Sequence, residues 1–210
     1  MKLFFTYFEK PHICVRLNDE QLNVANEINT ALKLTHNTQK GIAFLIKDRE
    51  NLLAHIKIEE EASIVKIDIR NYFYCINHNI LLEKVKVVAP KIVATLERFL
   101  DELNKSLQVE EFVNTKGIKN KSGLVLGHEM FYRLASIYLQ DMDSLLKASQ
   151  NVLKYYRFID DILIVTKDSN EVVYLIASEL HKLALEMNYQ KLIITPPRQS
   201  FTYLKQPFSR

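Results

Sequence analysis

Two adjacent aspartates, Asp160 and Asp161, interrupt an otherwise apolar run, FIDDILIV. Neighbouring carboxylates raise each other's proton affinity unless a cation compensates them. Two readings are open: an acidic hairpin turn facing solvent, or a pair of ligands for a divalent cation. Magnesium fits the second, because it takes few carboxylates and keeps positions for water and substrate phosphates. A third acid, Asp68, lies about ninety residues earlier, at the end of the string IVKID. Brought beside Asp160 and Asp161, it would complete a site for two ions about 3.5–4 Å apart, clamping the attacking and leaving oxygens of an in-line phosphoryl transfer.

The elements that must position these acids follow from periodicity. In IVKIDIR, Val65, Ile67 and Ile69 alternate with Lys66, Asp68 and Arg70, the pattern of a half-buried strand. YYRFIDDILIV, residues 155–165, reads as strand, tight turn, strand. Upstream, KLFFTYFE and ICVRL read as two strands joined across Lys10-Pro11-His12. Asn18 and Asp19 offer an N-cap for a helix carrying Leu22, Val24, Ile28 and Leu32. A helix is also expected after Asp48, with Leu52, Leu53 and Ile56. Helical spacing over 79–107 is divided at Pro90, which cannot sit inside a helix without losing a bond. One apolar helix is expected from about Glu129 to Leu146, and an amphipathic one over roughly 170–187. This mixed order of strands and helices points to an α+β fold rather than repeated βαβ units.

Composition narrows the classes. A chain of 210 residues forms one large domain or two small ones. Four glycines and five prolines leave little room for linkers or a glycine-rich phosphate loop. A net charge of +3 permits a nucleic-acid partner without announcing one. Cys14 and Cys75 lack the spacing of a zinc site or a disulfide scaffold. Glu9 and Lys10 break the first apolar run before it could serve as a signal sequence, and no stretch is long enough for a membrane span. The expected location is cytoplasmic.

Four ordered segments carry a family resemblance. KIDIRNYFYCI, followed by His78 and Leu81-Leu82, is similar to the first catalytic motif of reverse transcriptases of the retron, group II intron and abortive-infection kinds. Arg157-Phe158-Ile159-Asp160-Asp161 resembles their aromatic-any-Asp-Asp motif with its preceding Arg. GLVLGHEMFYRLASIYLQDMD resembles the Gly-Leu-Pro-Gln-Gly segment and its following helix, and Asn188 to Lys191 the later Asn-any-any-Lys element. The resemblance implies a right-hand-polymerase palm, an antiparallel sheet backed by helices, over 61–210, with reduced fingers over 1–60 and no evident thumb.

The same resemblance assigns roles. Asp68 and Asp160 would bridge two Mg²⁺ (or Mn²⁺) ions, with the Ile69 carbonyl as a further ligand and Asp161 in support. Lys191 would protonate the leaving pyrophosphate. Phe73 would block a 2′-hydroxyl and so select deoxynucleotides; a buried core ring is the other reading of that residue. Lys10 and Arg16 on the first hairpin, Arg49 and Gly127 would contact the nucleotide or template.

The departures also carry expectations. Val125-Leu126 replaces Pro-Gln, and Phe131 stands where a Ser is common, which alters the template-supporting loop and leans toward the phage-defence branch. The implied partners are an RNA template, a nucleic-acid primer and dNTPs, with a second subunit or self-association replacing the thumb, and no membrane. Two alternatives stand beside the polymerase: another palm-type nucleotidyltransferase or cyclase, and a degenerate palm acting as a nucleic-acid-binding or assembly module.

Overall fold

The computed structural model describes residues 1–7, 11–35, 40–109 and 118–209. Lys10 lies outside the described residues. The chain divides into two compact units, 1–37 with 71–138, and 38–70 with 139–210. These units interleave along the sequence, unlike the consecutive 1–60 and 61–210 expected from the resemblance.

The second unit is built on a five-stranded sheet in the order β3-β5-β6-β4-β7. Its strands are β3 (Ile42–Ala43), β4 (Ser63–Asp68), β5 (Val152–Phe158), β6 (Asp161–Thr166) and β7 (Ile193–Thr195). β4 pairs antiparallel with β6 and β7, β5 pairs antiparallel with β6, and only the short β3–β5 ladder is parallel. Because side chains alternate across a strand, Val65, Ile67, Ile162, Ile164, Tyr155 and Arg157 share one face, and all are buried. Helices α7 (Gln140–Ala148) and α8 (Ser169–Lys182) pack on this sheet, α7 against β5 and α8 against β4. Asp168 caps α8 by accepting from the Asn170 and Glu171 amides, both at 3.0 Å.

The other face carries Ile64, Leu163, Val165 and Tyr156 in a core with Leu52 and Leu53 of α2 (Arg49–Ala54) and Phe201 and Tyr203. The last two belong to the hairpin β8 (Phe201–Tyr203) and β9 (Gln206–Phe208). The half-buried pattern expected for β4 is therefore incomplete as a description. Ile64 is also buried, because that hairpin and α2 cover this face of the sheet.

In the first unit, β1 (Lys2–Tyr7) and β2 (Pro11–Arg16) form the expected antiparallel hairpin. Helix α1 (Asp19–Thr35) opens with a capping box: Asn18 Oδ1 accepts from the Gln21 amide at 2.9 Å, and Gln21 Oε1 accepts from the Asn18 amide at 3.3 Å. The short α3 (Tyr72–Cys75) precedes α4 (His78–Val88) and α5 (Val93–Val109), which are separated at Pro90 as periodicity indicated. Helix α6 (Glu129–Tyr138) packs on α1 and α4.

The single helix expected over about 129–146 is two, α6 and α7, with the break at Leu139 (φ −95°, ψ 0°). Leu139 is itself fully buried, so hydrophobic spacing runs through the break without marking it.

Candidate active site

Asp68 ends β4 and Asp161 begins β6, and the two are direct cross-strand partners. Like charges placed opposite one another repel, so this register needs a reason other than stability. Asp160 precedes Asp161 in the two-residue turn between β5 and β6. The Ile69 amide donates to the Asp160 carbonyl at 3.3 Å, tying the turn back to the end of β4. Sequence positions about ninety residues apart thus meet at one end of one sheet.

The turn is conformationally unusual. Ile159 is its first residue and has φ of +58°. A two-residue hairpin of this kind favours Gly there, and a β-branched residue at positive φ is strained. Neighbours hold it: the Ile159 amide donates to the Ala43 carbonyl at 3.1 Å, and its carbonyl accepts from Arg157 Nη1 at 2.8 Å. Tyr203 Oη donates to the Asp161 carbonyl at 2.8 Å from the β8–β9 hairpin.

The electrostatics suit a cation. Burial, then the charges of Asp161 and Asp68, push the Asp160 carboxyl up to about 7, with Lys191 opposing. Asp68 is held by two donors: Asn188 Nδ2 at 2.9 Å to Oδ1 and Lys191 Nζ at 2.6 Å to Oδ2. The Asn188 amide adds a bond to the Asp68 carbonyl at 2.9 Å. Lys191 is held above its ordinary value: partial burial works against it, and the hydrogen bond to Asp68 with the charges of Asp68, Asp161 and Asp160 outweighs that burial. It is therefore a protonated ammonium at neutral pH.

Among the described residues, no group of three or more His, Cys, Asp and Glu side chains is already gathered as metal ligands. Asp68 is turned onto Asn188 and Lys191 instead. The donor set nevertheless fits a hard divalent cation: carboxylate oxygens, no sulfur or imidazole, and a half-buried like-charge cluster with one ammonium beside it.

Of the other expected site residues, Ile69 and Lys191 join the acids. Arg49 donates from Nη2 to the Leu204 carbonyl in the β8–β9 turn. Phe73, Arg16 and Gly127 belong to the first unit. The Phe73 ring is half-buried, edge-on to Tyr132 at 5.5 Å and to Tyr72 at 5.8 Å, and its carbonyl accepts from Leu124 at 2.7 Å. Arg16 is exposed at the end of β2. Gly127 (φ +126°) runs against β2 so closely that a Cβ would lie 2.6 Å from the Val15 carbonyl oxygen. The preceding Leu126 exchanges backbone bonds with Ile13 and Val15, at 3.0 and 2.9 Å.

Residue reasoning missed Asp143. Leu139, Met142, Asp143 and Leu146 follow i, i+3, i+4, i+7 spacing, so an acid stands on an apolar stripe. That was the available signal, since a charge on a buried face needs a buried partner.

A family model described as reverse transcriptase (RNA-dependent DNA polymerase) matches residues 13–207. With that match over nearly the whole chain, and a palm-type antiparallel sheet bearing three acids at one end, the protein belongs to the reverse transcriptase family.

Solved structures similar to it include telomerases. Apo telomerase from Candida tropicalis, truncated from its C-terminal domain, superposes with a TM-score of 0.61 at 14% identity, covering 99% of this chain and 53% of that one. Telomerase from Candida albicans in complex with a fragment of telomeric RNA gives 0.54 at 17% identity, covering 89% of this chain and 36% of that one. The chain thus spans roughly a third to a half of these relatives, and the likeness is one of fold. No curated protein sequence matches the chain. No described helix is long and apolar enough to cross a membrane.

Proposed function

We propose that this chain is the catalytic palm of a reverse transcriptase that adds deoxynucleotides to a primer 3′-hydroxyl on an RNA template. The observation that carries the proposal is the juxtaposition of Asp68 with Asp161 across β4 and β6, with Asp160 in the turn between β5 and β6. Asp68, Asp160 and Asp161, with the Ile69 carbonyl, would hold two divalent cations, Mg²⁺ or Mn²⁺. Bound there, the ions would supply charge stabilisation for in-line phosphoryl transfer. Asn188 orients Asp68, and the Lys191 ammonium, 2.6 Å from that carboxylate, donates a proton to the departing pyrophosphate oxygen.

Phe73 is the residue that excludes a 2′-hydroxyl. Its half-exposed ring supports that role, whereas a wholly buried one would not. Lys10, Arg16, Arg49 and Gly127 supply further contacts to the nucleotide and template. The Val125-Leu126 replacement supports looser template demands and a place in phage defence. Primer extension with labelled dNTPs and Mg²⁺, on RNA, DNA and no template, tests the proposal. Templated extension by the parent, lost in Asp160→Asn, is the expected result; equal extension by both overturns it.

A further inference from the structure

The most completely buried charges in the second unit lie behind the acid-bearing turn. Arg157 is 0% exposed and Asp143 is 2% exposed. Their contact is a two-pronged fork: Arg157 Nε to Asp143 Oδ1 at 2.8 Å and Nη2 to Oδ2 at 2.6 Å. Tyr155 Oη donates to the same Asp143 Oδ1 at 2.6 Å. The fork leaves Nη1 facing forward, where it donates to the Ile159 carbonyl at 2.8 Å.

A guanidinium suits this task because its donors are fixed in one plane, so two bonds to a carboxylate dictate where the remaining donor points. Asp143 is in turn fixed by α7, and Arg157 by β5. The Arg157 amide also donates to the Gly41 carbonyl at 2.9 Å, which keeps β3 in register so that Ala43 can accept from Ile159. Ile159 is thus gripped at both its amide and its carbonyl, in a backbone conformation its own side chain disfavours.

We propose that Arg157, set by Asp143, is a positioning residue that holds Ile159 at positive φ and thereby aims Asp160 and Asp161 at the cation site. The metal half of this statement rests on the proposed function; the clamp on the turn does not. Arg157→Lys separates the two, because lysine keeps a charge for Asp143 but has no planar third donor for Ile159.

The test uses the full chain and two readouts. Without metal, amide hydrogen exchange at Ile159, Asp160 and Asp161 is compared with that of Val65 and Ile164 in the sheet. Arg157→Lys should speed the turn amides about tenfold beyond any change in the sheet amides. Mn²⁺ titration followed by electron paramagnetic resonance should show half-saturation raised about tenfold, as for loss of a partner that orients metal ligands. Adding Ile159→Gly to Arg157→Lys should return both towards the parent, since glycine takes positive φ without a clamp.

Turn exchange that moves only in step with the sheet overturns the proposal, as does failure of Ile159→Gly to rescue. A parent that binds no Mn²⁺, yet whose turn responds as described, supports the clamp and sinks the two-metal reading. If Arg157→Lys does not fold, Ile159→Gly alone decides: an unchanged or raised melting temperature supports strain at Ile159, and a lowered one overturns it.

Discussion

At the scale of single residues, the site is a concentration of like charge that folding alone does not favour. Asp68 faces Asp161 across the ladder, and burial with these two charges pushes the neighbouring Asp160 up to about 7. Replacing Asp160 or Asp68 by its amide removes a negative charge without removing volume. Asp160→Asn should therefore leave the melting temperature unchanged or higher, whereas Asp68→Asn also gives up the ion pair with Lys191; both should reduce nucleotide addition by about a thousandfold. Steady-state primer extension beside a thermal melt checks both halves; activity near the parent's would remove these residues from the catalytic role. Phe73 is the second residue-scale case. Its ring is only half-buried against Tyr72 and Tyr132, so Phe73→Ala should cost about 1–2 kcal/mol, less than a fully buried Phe. The ratio of ribonucleotide to deoxynucleotide incorporation should rise at least about tenfold if the ring bars the 2′-hydroxyl, a difference of about 1.4 kcal/mol in transition-state binding. An unchanged ratio would make Phe73 a packing residue.

At the scale of elements, close backbone approaches explain positions that look functional in a list. Gly127 has φ of +126° and no room for a Cβ beside the Val15 carbonyl. Gly127→Ala should destabilise the chain by about 2–3 kcal/mol through strain and a displaced loop, read as a lower denaturant midpoint. A raised dNTP KM with no loss of stability would instead make its nucleotide contact primary. His78 opens α4 and is buried, with Nε2 2.8 Å from the Gly123 carbonyl. Burial lowers its pKa from 6.5, with the Gly123 bond opposing, so the unfolded chain binds the proton more readily than the folded one. This contribution is present above pH 6.5 and is lost as pH falls below that value towards the folded pKa. Melting curves from pH 7.5 down to pH 5 should show a loss that His78→Gln reduces; parallel curves for the two would refute the assignment.

At the scale of the molecule, interleaving has consequences for dissection. The sheet that carries the acids takes β3 and α2 from residues before 61, and these cover Tyr156, Leu163 and Val165. A piece containing only 61–210 would expose that core face and lose the Ala43 carbonyl that holds Ile159. It should fail to fold independently, giving poorly dispersed amide resonances and rapid proteolysis; a well-dispersed spectrum would show that β3 and α2 are dispensable. A charge of +3 spread over the whole chain supplies little of the phosphate attraction that holds duplex nucleic acid.

The sequence by itself determined the local patterns: the alternation that makes β4, the turn between β5 and β6, the Asn18 cap and the break at Pro90. Each is set within a few residues by side-chain alternation, backbone restriction or a local hydrogen bond. Ordered motifs also carried the family, because Asp68 and the Asp160-Asp161 pair keep their neighbours and their order. Tertiary structure alone decided what depends on partners distant in sequence. Leu139 breaks a helix although its buried spacing continues, and Ile64 is covered by a hairpin more than a hundred residues away. Ile159 adopts a conformation that its own side chain disfavours, because Ala43 and Arg157 bond its backbone and Asp143 fixes Arg157. Local preference is worth a kcal/mol or so per residue, and buried, mutually satisfied hydrogen bonds from three separate elements outweigh it.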